Sequence, residues 1–441
     1  MDQEDELFLR DFFRAVTDRS LEPNDPFYVP LWEQPEIAQE DPIGLLARAI
    51  EWTPGESVQL LSGFRGTGKS TELRRLRRRL NENGYLVILC DLAAYLNLST
   101  PMDVSDLLLA VAGAFGEALK APELLGAKFA HEGYFERFVG FLKRSRIVFE
   151  EIGFSPELPG AALEIKASLK SDPTFKALLQ KHLAGHLSSL VSDVREYVKD
   201  AVTALRKKRG ASGEVVLLVD SIEHIRGTFS NAAEVQQSVE ATFATHAEKL
   251  HLPGLHVVYT VPPYLKVRYP NLGSLYAPGG LHLLPAVKVQ TGLEALARVI
   301  SSRGDWARLF PDREALDWVI RSSGGHLRDL MRLCREVARH AHRLPVELHT
   351  IEAAIDQVRN EFLPIANMDA LWLAKVAETH EAALDDTDKL PVLTRFFDTH
   401  MVLCYRNGRE WYDVHPLIAE TVQKQVEMLA RPARKRAKSA E

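Results

Sequence analysis

The chain has 441 residues, of which 46% are hydrophobic and 26% charged, as is ordinary for a globular protein of two to four domains. Its net charge of −6 excludes nucleic-acid binding through overall charge, so any such role needs a local patch. The chain has no run of about 18 apolar residues and no secretion-like start, so we expect no membrane contact. Cys90, Cys334 and Cys404 lack metal-site or disulfide spacing, which favours a cytoplasmic protein.

The first chemical signal lies between residues 57 and 80. An apolar strand, Ser57–Ser62, precedes the pattern G-x-x-x-x-G-K-S/T, and a helix is predicted over Thr71–Leu80. Glycines in such a loop let backbone N–H groups approach a triphosphate. Lys69 would supply charge to the β- and γ-phosphates and Ser70 a hydroxyl to Mg²⁺. The residues predicted to bind the nucleotide are Gly63, Arg65, Gly66, Thr67, Gly68, Lys69, Ser70 and Thr71.

Five arginines on the predicted helix flank its apolar stripe: Arg74, Arg75, Arg77, Arg78 and Arg79. Such a run is typical of a solvated helix face, and a nucleic-acid-binding stripe is the alternative. A second strand is predicted at Tyr85–Leu92. The next 120 or so residues are mostly helical in pattern, with one amphipathic helix from Phe175 to about Lys208 and a loop at Gly210–Gly213.

The third predicted strand, Val215–Asp220, ends in a carboxylate. Asp220 stands where a Walker B aspartate would hold Mg²⁺ together with Ser70. Glu223 is a candidate general base for the attacking water. An acid usually follows the strand directly, but here the residue is Ser221, so rapid hydrolysis does not follow from the sequence. The alternatives are a turn residue for Asp220 and a solvated or helix-capping acid for Glu223.

Three further residues are candidates for contacting the γ-phosphate. Thr260, in a fourth strand at His256–Val261, could serve as the polar residue called sensor 1, or its hydroxyl could bond the backbone. Arg268, ahead of a fifth strand at Leu281–Val289, could act in trans on a neighbouring subunit, or be a solvated arginine. Arg328, which follows Gly324 and Gly325, could fill the sensor 2 role, or be an exposed helix arginine.

The C-terminal pattern suggests a winged-helix module. Helices are predicted from Asp369 to about Leu384 and over Leu390–His400, followed by strands Met401–Arg406 and Arg409–Val414. Asn407-Gly408 predicts a two-residue hairpin turn between these strands. A closing helix, about Pro416–Leu429, precedes a basic tail. The cations Arg395, Arg406 and Arg409, with those of the basic tail, permit DNA binding, but docking of a partner protein is at least as consistent with this pattern.

These elements predict an α/β protein: a P-loop NTPase with a mostly parallel sheet, a helical insertion, a helical lid and a winged-helix-like domain. The expected domains are an N-terminal adenine-side segment (1–55), the ATPase core (56–290, with the insertion at 100–212), the lid (291–364), the winged-helix-like domain (365–430) and the basic tail (431–441).

Together, the loop at Gly63–Thr71, the Asp220 strand, Thr260, the Arg328 helix and the terminal hairpin module resemble AAA+ and STAND-type P-loop ATPases. Within these, the chain most resembles bacterial relatives of the origin-recognition initiators and of the ATPase modules in conflict or defence proteins. The resemblance implies an ATP- and Mg²⁺-dependent ATPase switch that forms homo-oligomers and controls a partner protein, with antiviral defence or signalling as the expected setting. A DNA-binding ATPase of replication or transposition is the alternative, and a small-molecule kinase is a third reading.

Overall fold

The structure, a computed structural model, describes residues 1–37, 41–126, 134–144, 161–209, 213–228, 230–384 and 386–438. Most of the predicted loop at Gly210–Gly213 lies outside these ranges, as do residues 439–441. The side chains of residues 431–438, which carry the predicted basic tail, also lie outside the described part.

Five strands form the sheet, and two form a hairpin. The strands are β1 (Ser57–Gly63), β2 (Leu86–Asp91), β3 (Val215–Asp220), β4 (Leu255–Val261), β5 (Leu281–Leu284), β6 (Val402–Asn407) and β7 (Arg409–Val414). The sheet has the order β2-β3-β4-β1-β5, and the pairs β2–β3, β3–β4 and β4–β1 are parallel. β1, β3 and β4 are buried along their whole length, as continuous apolar runs in a parallel sheet should be. The predicted α/β class with a mostly parallel sheet is confirmed.

Helices occupy most of the remaining described residues. In the first half they are α1 (Gln3–Ala15), α2 (Pro42–Glu51), α3 (Lys69–Glu82), α4 (Val104–Ala118), α5 (Tyr134–Arg144), α6 (Ala161–Ser171), α7 (Pro173–Ala184), α8 (Leu187–Arg209), α9 (Ala232–Glu240) and α10 (Tyr264–Arg268). In the second half they are α11 (Val289–Ser301), α12 (Trp306–Leu309), α13 (Arg313–Ser322), α14 (Leu327–His340), α15 (Leu348–Asn360), α16 (Asn367–Thr379), α17 (Leu390–Asp398) and α18 (Pro416–Lys438).

The chain divides into two compact units. Unit 1 comprises Met1–Gly44, Gly63–Arg75 and Leu284–Glu441, and unit 2 comprises Leu45–Ser62 and Leu76–Leu283. In unit 1, α14 packs against α1, α13 and α15, while α16 packs against α18 and β7. We call α16, α17, the β6–β7 hairpin and α18 the C-terminal module. The domain bounds proposed from the sequence stay predictions.

One predicted helix is in fact two. The prediction of a single helix over Phe175–Lys208 is wrong, because α7 ends at Ala184 and α8 begins at Leu187. Gly185 caps α7 with an N–H bond to the carbonyl of Leu183. Apolar residues keep a spacing of three or four across this break, so the pattern alone does not reveal it. Glycine, the poorest helix former after proline, is the local signal.

The predicted fifth strand is too long, since β5 ends at Leu284 rather than Val289. Pro285 follows it and has no N–H to donate to a sheet. The next two N–H groups do not bond to the sheet. Ala286 donates to the carbonyl of Cys404, and Val287 donates to the carbonyl of Gly325. This segment therefore connects to the hairpin and to the approach of α14.

The hairpin is confirmed but its turn differs from the prediction. Arg406 pairs with Glu410 and Asn407 with Arg409, so Gly408 alone stands at the tip. Gly408 has φ +73°, a conformation that glycine adopts without strain. The predicted two-residue Asn407-Gly408 turn would have shifted the pairing by one residue. Elsewhere α16 ends at Thr379, short of the predicted Leu384, and α18 runs past the predicted Leu429.

Candidate functional site

The glycine-rich segment joins β1 to α3, as its sequence predicts. We call Gly63–Thr71 the phosphate loop, after the role that its sequence predicts. Gly66 and Gly68 have φ of +90° and +96°, in the left-handed region that side-chain-bearing residues avoid. A Cβ on Gly66 would also lie 2.7 Å from the Cβ of Arg328. The glycines therefore answer both the turn geometry and the close approach of α14.

Lys69 is the first residue of α3, and its side chain is buried. Its Nζ donates to the carbonyl oxygens of Gly63 and Phe64, both at 2.9 Å. Two hydroxyls also bond backbone groups: Thr67 Oγ1 donates to Phe64 at 2.8 Å, and Thr71 Oγ1 accepts from Leu21 N–H at 3.0 Å. The ammonium group is thus held inside the curve of the loop, next to the first turn of a 14-residue helix.

The N-terminal end of α14 contacts the phosphate loop at Arg65 and Gly66. The N–H of Arg328 donates to the carbonyl of Gly66 at 3.3 Å. The ring Nε2 of His326 lies 2.7 Å from the carbonyl oxygen of Arg65. The guanidinium of Arg328 itself pairs with Asp18, Nε to Oδ2, at 2.5 Å. The predicted sensor 2 residue is therefore beside the loop, with its charge directed to the N-terminal segment.

A buried carboxylate, Asp329, lies in the first turn of α14. Asp329 contacts the ring nitrogens of three histidines at Oδ2: His326 Nδ1 at 2.7 Å, His400 Nδ1 at 3.0 Å and His415 Nε2 at 3.5 Å. At Oδ1 it accepts from Arg332 at 3.2 Å. We call these five residues the Asp329 cluster. His400 and His415 belong to the C-terminal module, so the cluster connects that module to α14.

Charge and hydrogen bonding set the protonation of this cluster. Burial alone would raise the pKa of Asp329, but the charge of His326 and hydrogen bonds from the histidines hold it well below its usual range. Burial, with the charge of His326, lowers the pKa of His400 to about 4. Burial also lowers the pKa of His415. Asp329 is therefore ionised at neutral pH, while His400 and His415 are neutral.

The cluster has a donor set that a metal ion could use, since ligand atoms of His326, Asp329 and His400 lie within 4.8 Å of one another. Hydrogen bonds already explain why they converge. Asp329 Oδ2 accepts from His326 and His400, and the Nδ1 lone pair of His415 accepts the N–H of Leu417. Protons on His326 Nδ1 and His400 Nδ1 therefore account for the two short contacts to the carboxylate, and we assign no metal here.

A column of aromatic rings also connects the loop to the C-terminal module. The ring of Phe64 lies 4.7 Å, between centroids, from that of Phe397 on α17. Phe397 in turn stacks on Tyr412 of β7 at 5.8 Å. The hydroxyl of Tyr405 on β6 donates to the carbonyl of Gly324 at 2.7 Å, just before α14. The second residue of the phosphate loop is thus part of the hydrophobic core of this module.

The arginines of α3 are not one solvated face. Arg75 is buried and donates to Glu72 and Asp41 at 2.6 Å and to Glu33 at 3.1 Å. Burial alone would lower the pKa of Arg75, but the hydrogen bond and charge of Asp41 and the charge of Glu72 raise it. Arg74 pairs with Glu22, and Arg79 with Glu51. The expectation of a solvated stripe is wrong at Arg75.

The predicted Walker B segment lies in unit 2. Asp220 ends β3 and accepts the N–H of Ser221 at 2.8 Å, with Ser221 at φ +77°. The buried hydroxyl of Thr260 accepts from Ile222 N–H at 3.1 Å and donates to the carbonyl of Val219 at 3.4 Å. Glu223 is buried, and its Oε1 lies 3.4 Å from His224 Nε2. The structure brings Asp220, Glu223 and Thr260 to the carboxyl ends of β3 and β4, and the Thr260 hydroxyl bonds the backbone there.

Arg268, the candidate trans-acting arginine, is the last residue of α10. Its Nε lies 3.4 Å from Glu240 Oε2, and its side chain is 35% exposed. It is thus neither a fully solvated arginine nor one sealed in the core. Its role toward a second subunit stays a prediction.

Comparison with known proteins gives structural likeness only. No family model matches the chain, and no curated protein does. The ORC2 protein of Aeropyrum pernix, in ADPNP–ADP complexes, aligns at 11% identity over 97% of this chain and 98% of its own, with a TM-score of 0.43. Cdc6p from Pyrobaculum aerophilum aligns at 12% identity over 94% and 98%, with a TM-score of 0.40. The ADP form of ORC2 aligns at 10% identity over 94% and 97%, with a TM-score of 0.42. Values this low do not establish a family.

Among the described residues, no helix combines the length and apolar character needed to cross a bilayer.

The sequence singled out the phosphate loop and Arg328 as site residues but gave no indication of His326, Asp329, His400 and His415. One signal was available in part: His326 and Asp329 are three residues apart, the spacing that brings an N-cap residue beside the first turn. Nothing in the sequence pairs them with His400 and His415, which flank the hairpin.

Proposed function

We propose that the chain binds ATP with Mg²⁺ at the phosphate loop and works as a nucleotide-driven switch. The loop geometry supports this function most directly. It combines a buried strand, glycines at positive φ, a buried lysine and the start of a long helix. Backbone N–H groups, Lys69 and the dipole of α3 would hold the phosphates, and Ser70 would contribute to the metal. Bound Mg²⁺ would neutralise phosphate charge.

Replacing Lys69 tests nucleotide binding. We expect Lys69→Ala to lower ATP affinity by about 100-fold, because a charge-assisted contact to phosphate is lost. Lys181→Ala, at an exposed lysine of unit 2, is the matched control and should bind ATP like the unchanged chain. Isothermal titration calorimetry measures both. Equal affinity in the two variants would remove the assignment of the loop.

We further propose slow hydrolysis with Asp220 as the metal-holding carboxylate. Asp220→Asn should abolish phosphate release while ATP affinity changes much less. Glu223→Gln separates the base role from the metal role, because it leaves the charge of Asp220 intact. A Glu223→Gln variant that releases phosphate at the original rate would show that Glu223 is not the base.

The switch would oligomerise and control a partner protein, in bacterial defence or signalling. This part follows from the family resemblance of the sequence, and Arg268 is its testable residue. Light scattering with and without ATP measures assembly, and Arg268→Ala should lower turnover only in the assembled state. A chain that stays monomeric in ATP would exclude a trans-acting Arg268.

The hairpin favours a second candidate, nucleic-acid binding, because Arg406 and Arg409 are both exposed. The cation of α17 is less available, since Arg395 pairs with Asp369 at 2.7 Å. This reading predicts DNA binding that weakens steeply with salt and is reduced by Arg406→Ala with Arg409→Ala. No binding to a DNA duplex at low salt would exclude it.

A further inference from the structure

The ring of His326 contacts an acceptor at each of its nitrogens. Nδ1 lies 2.7 Å from a carboxylate oxygen of Asp329, and Nε2 lies 2.7 Å from the carbonyl oxygen of Arg65. Neither partner has a proton to donate when Asp329 is ionised. A neutral imidazole would turn a lone pair toward one of them. Only the doubly protonated ring satisfies both contacts.

The Asp329 cluster surrounds this charge with compensating groups. Asp329 and Arg332 come from α14 itself, and Glu361 pairs with Arg332. His400 and His415 approach from the C-terminal module, with the ring centroid of His400 4.1 Å from that of His326. His400 holds its position at φ +61°, an uncommon conformation for a histidine. The charges of Asp329 and Glu361 balance those of Arg332 and a protonated His326.

The contact with Arg65 acts on the loop through one peptide plane. In a trans peptide, the carbonyl of one residue and the N–H of the next point in opposite directions. A carbonyl of Arg65 held toward His326 therefore turns the N–H of Gly66 to the opposite face. The bond from Arg328 N–H to the Gly66 carbonyl restrains the following plane as well. Gly66 needs such restraint because glycine loses more backbone freedom than other residues when it is ordered.

We propose that His326 is a positioning residue of the phosphate loop: as an imidazolium held by Asp329, it donates Nε2–H to the carbonyl of Arg65 and orients the Gly66 N–H for a bound phosphate. This rests on the proposed nucleotide binding. His400 and His415 hold Asp329 from the other side, so the C-terminal module supports the loop through the same chain of contacts.

Two substitutions separate the hydrogen bond from the charge. His326→Gln keeps an amide N–H that can reach Arg65 but does not titrate, and His326→Ala removes the donor. His340→Gln, at the far end of α14, is the matched control. At about pH 6.5 we expect His326→Ala to weaken ADP and ATP binding about tenfold and His326→Gln to restore most of it. The His340→Gln variant should bind like the unchanged chain.

Rescue by the conservative variant distinguishes positioning from a merely structural role, because glutamine restores an N–H toward Arg65 without restoring the imidazole ring. Equal binding by His326→Ala and the unchanged chain would overturn the proposal, and so would a His326→Gln variant that binds ADP and ATP no better than His326→Ala. If His326→Ala fails to fold by circular dichroism, the comparison of His326→Gln with the unchanged chain still decides, since a loss of about tenfold in His326→Gln would overturn the proposal.

A nucleotide-free measurement keeps the two proposals distinguishable. In the ¹⁵N-histidine spectrum of the full chain, the signal lost in His326→Gln should show protons on both ring nitrogens near neutral pH. A neutral His326 there would overturn the inference whatever the loop binds. Conversely, an unchanged chain that binds no nucleotide at any pH would refute the proposed function while leaving this spectrum to report the state of His326.

Discussion

Two charge clusters in unit 1 have central groups of opposite charge. The Asp329 cluster places one carboxylate among nitrogen donors. The second, which we call the Arg75 cluster, places one guanidinium among the carboxylates of Glu72, Asp41 and Glu33. The centre of the first is sealed, since the side chains of Asp329 and His326 are fully buried, and only Arg332 at its edge is 25% exposed. The second opens to water, with side-chain exposures of 20% for Asp41 and 51% for Glu33.

This difference in exposure determines how much stability the fold loses when each central charge is removed. A donor left without an acceptor in a dry interior bears its full desolvation cost, whereas a carboxylate that reaches solvent rehydrates. The clusters also hold different partners. The Asp329 cluster joins the loop, α14 and the C-terminal module, and the Arg75 cluster joins α3 to the segment before α2.

The largest effect should come from Asp329→Asn. The asparagine amide would face histidine donors with a donor of its own, at a position where the side chain is fully buried. We expect a loss of ~3–5 kcal/mol in unfolding free energy, the range for breaking a buried pair. Urea unfolding measures it, with Asp356→Asn, a half-exposed acid of α15, as the control. A loss comparable to that of the control would mean that the cluster is not sealed.

Arg75→Met should cost less, ~2–3 kcal/mol in the same assay. Methionine replaces the methylenes of Arg75, so packing is largely kept. Of the three carboxylates, only Glu72 is then left deeply buried without its partner. Burial already raises the pKa of Glu72, although the charge of Arg75 opposes this shift. Without Arg75, Glu72 can take up a proton instead of remaining an unpaired charge. The loss should therefore shrink as pH falls toward about 5, which a pH series of unfolding curves would test. A loss that grows on acidification would contradict this account.

The third test is the pH dependence of the sealed cluster. His400 has a pKa of about 4 in the folded chain, against about 6.5 when unfolded. Between these pH values the unfolded chain binds a proton at His400 and the folded chain does not. The free energy of unfolding should therefore fall as pH drops from about 6.5 to about 4, by up to ~3 kcal/mol. The lowered pKa of His415 acts in the same direction, and that of Asp329 adds a loss only below about pH 4.

His400→Asn isolates the contribution of His400. Asparagine does not titrate and tolerates the left-handed backbone at this position, so the fold should be kept. The slope of unfolding free energy against pH should decrease in the variant between about pH 6.5 and about pH 4.5. An identical slope in both proteins would show that His400 is accessible to protons in the folded state.

The sequence predicted the features whose signals lie within a short segment, and it missed the side-chain clusters that form only when distant segments pack together. The phosphate loop, β3 and the hairpin carry their signals within about ten residues, as turn glycines or apolar runs. The Asp329 cluster joins residues that are far apart in the sequence. His400 lies 74 positions after His326, and His415 lies 86 positions after Asp329. No periodicity links such residues. Arg75 was misread for a related reason, since its partners Asp41 and Glu33 precede it by 34 and 42 positions.

The smallest stability effect and the sharpest functional one should come from Asp18→Asn. The Arg328–Asp18 pair is part-exposed, with side-chain exposures of 24% and 50%, so its loss should cost under ~1 kcal/mol. If Arg328 serves the nucleotide, releasing it from Asp18 should strengthen ATP affinity about two- to fivefold, and Arg328→Ala should weaken it. Calorimetric titration of ATP into both variants measures the opposite shifts. Because Arg328 N–H already bonds Gly66 through the backbone, a role confined to that bond would leave ATP affinity unchanged in both variants, and the side chain would then be excluded from the site.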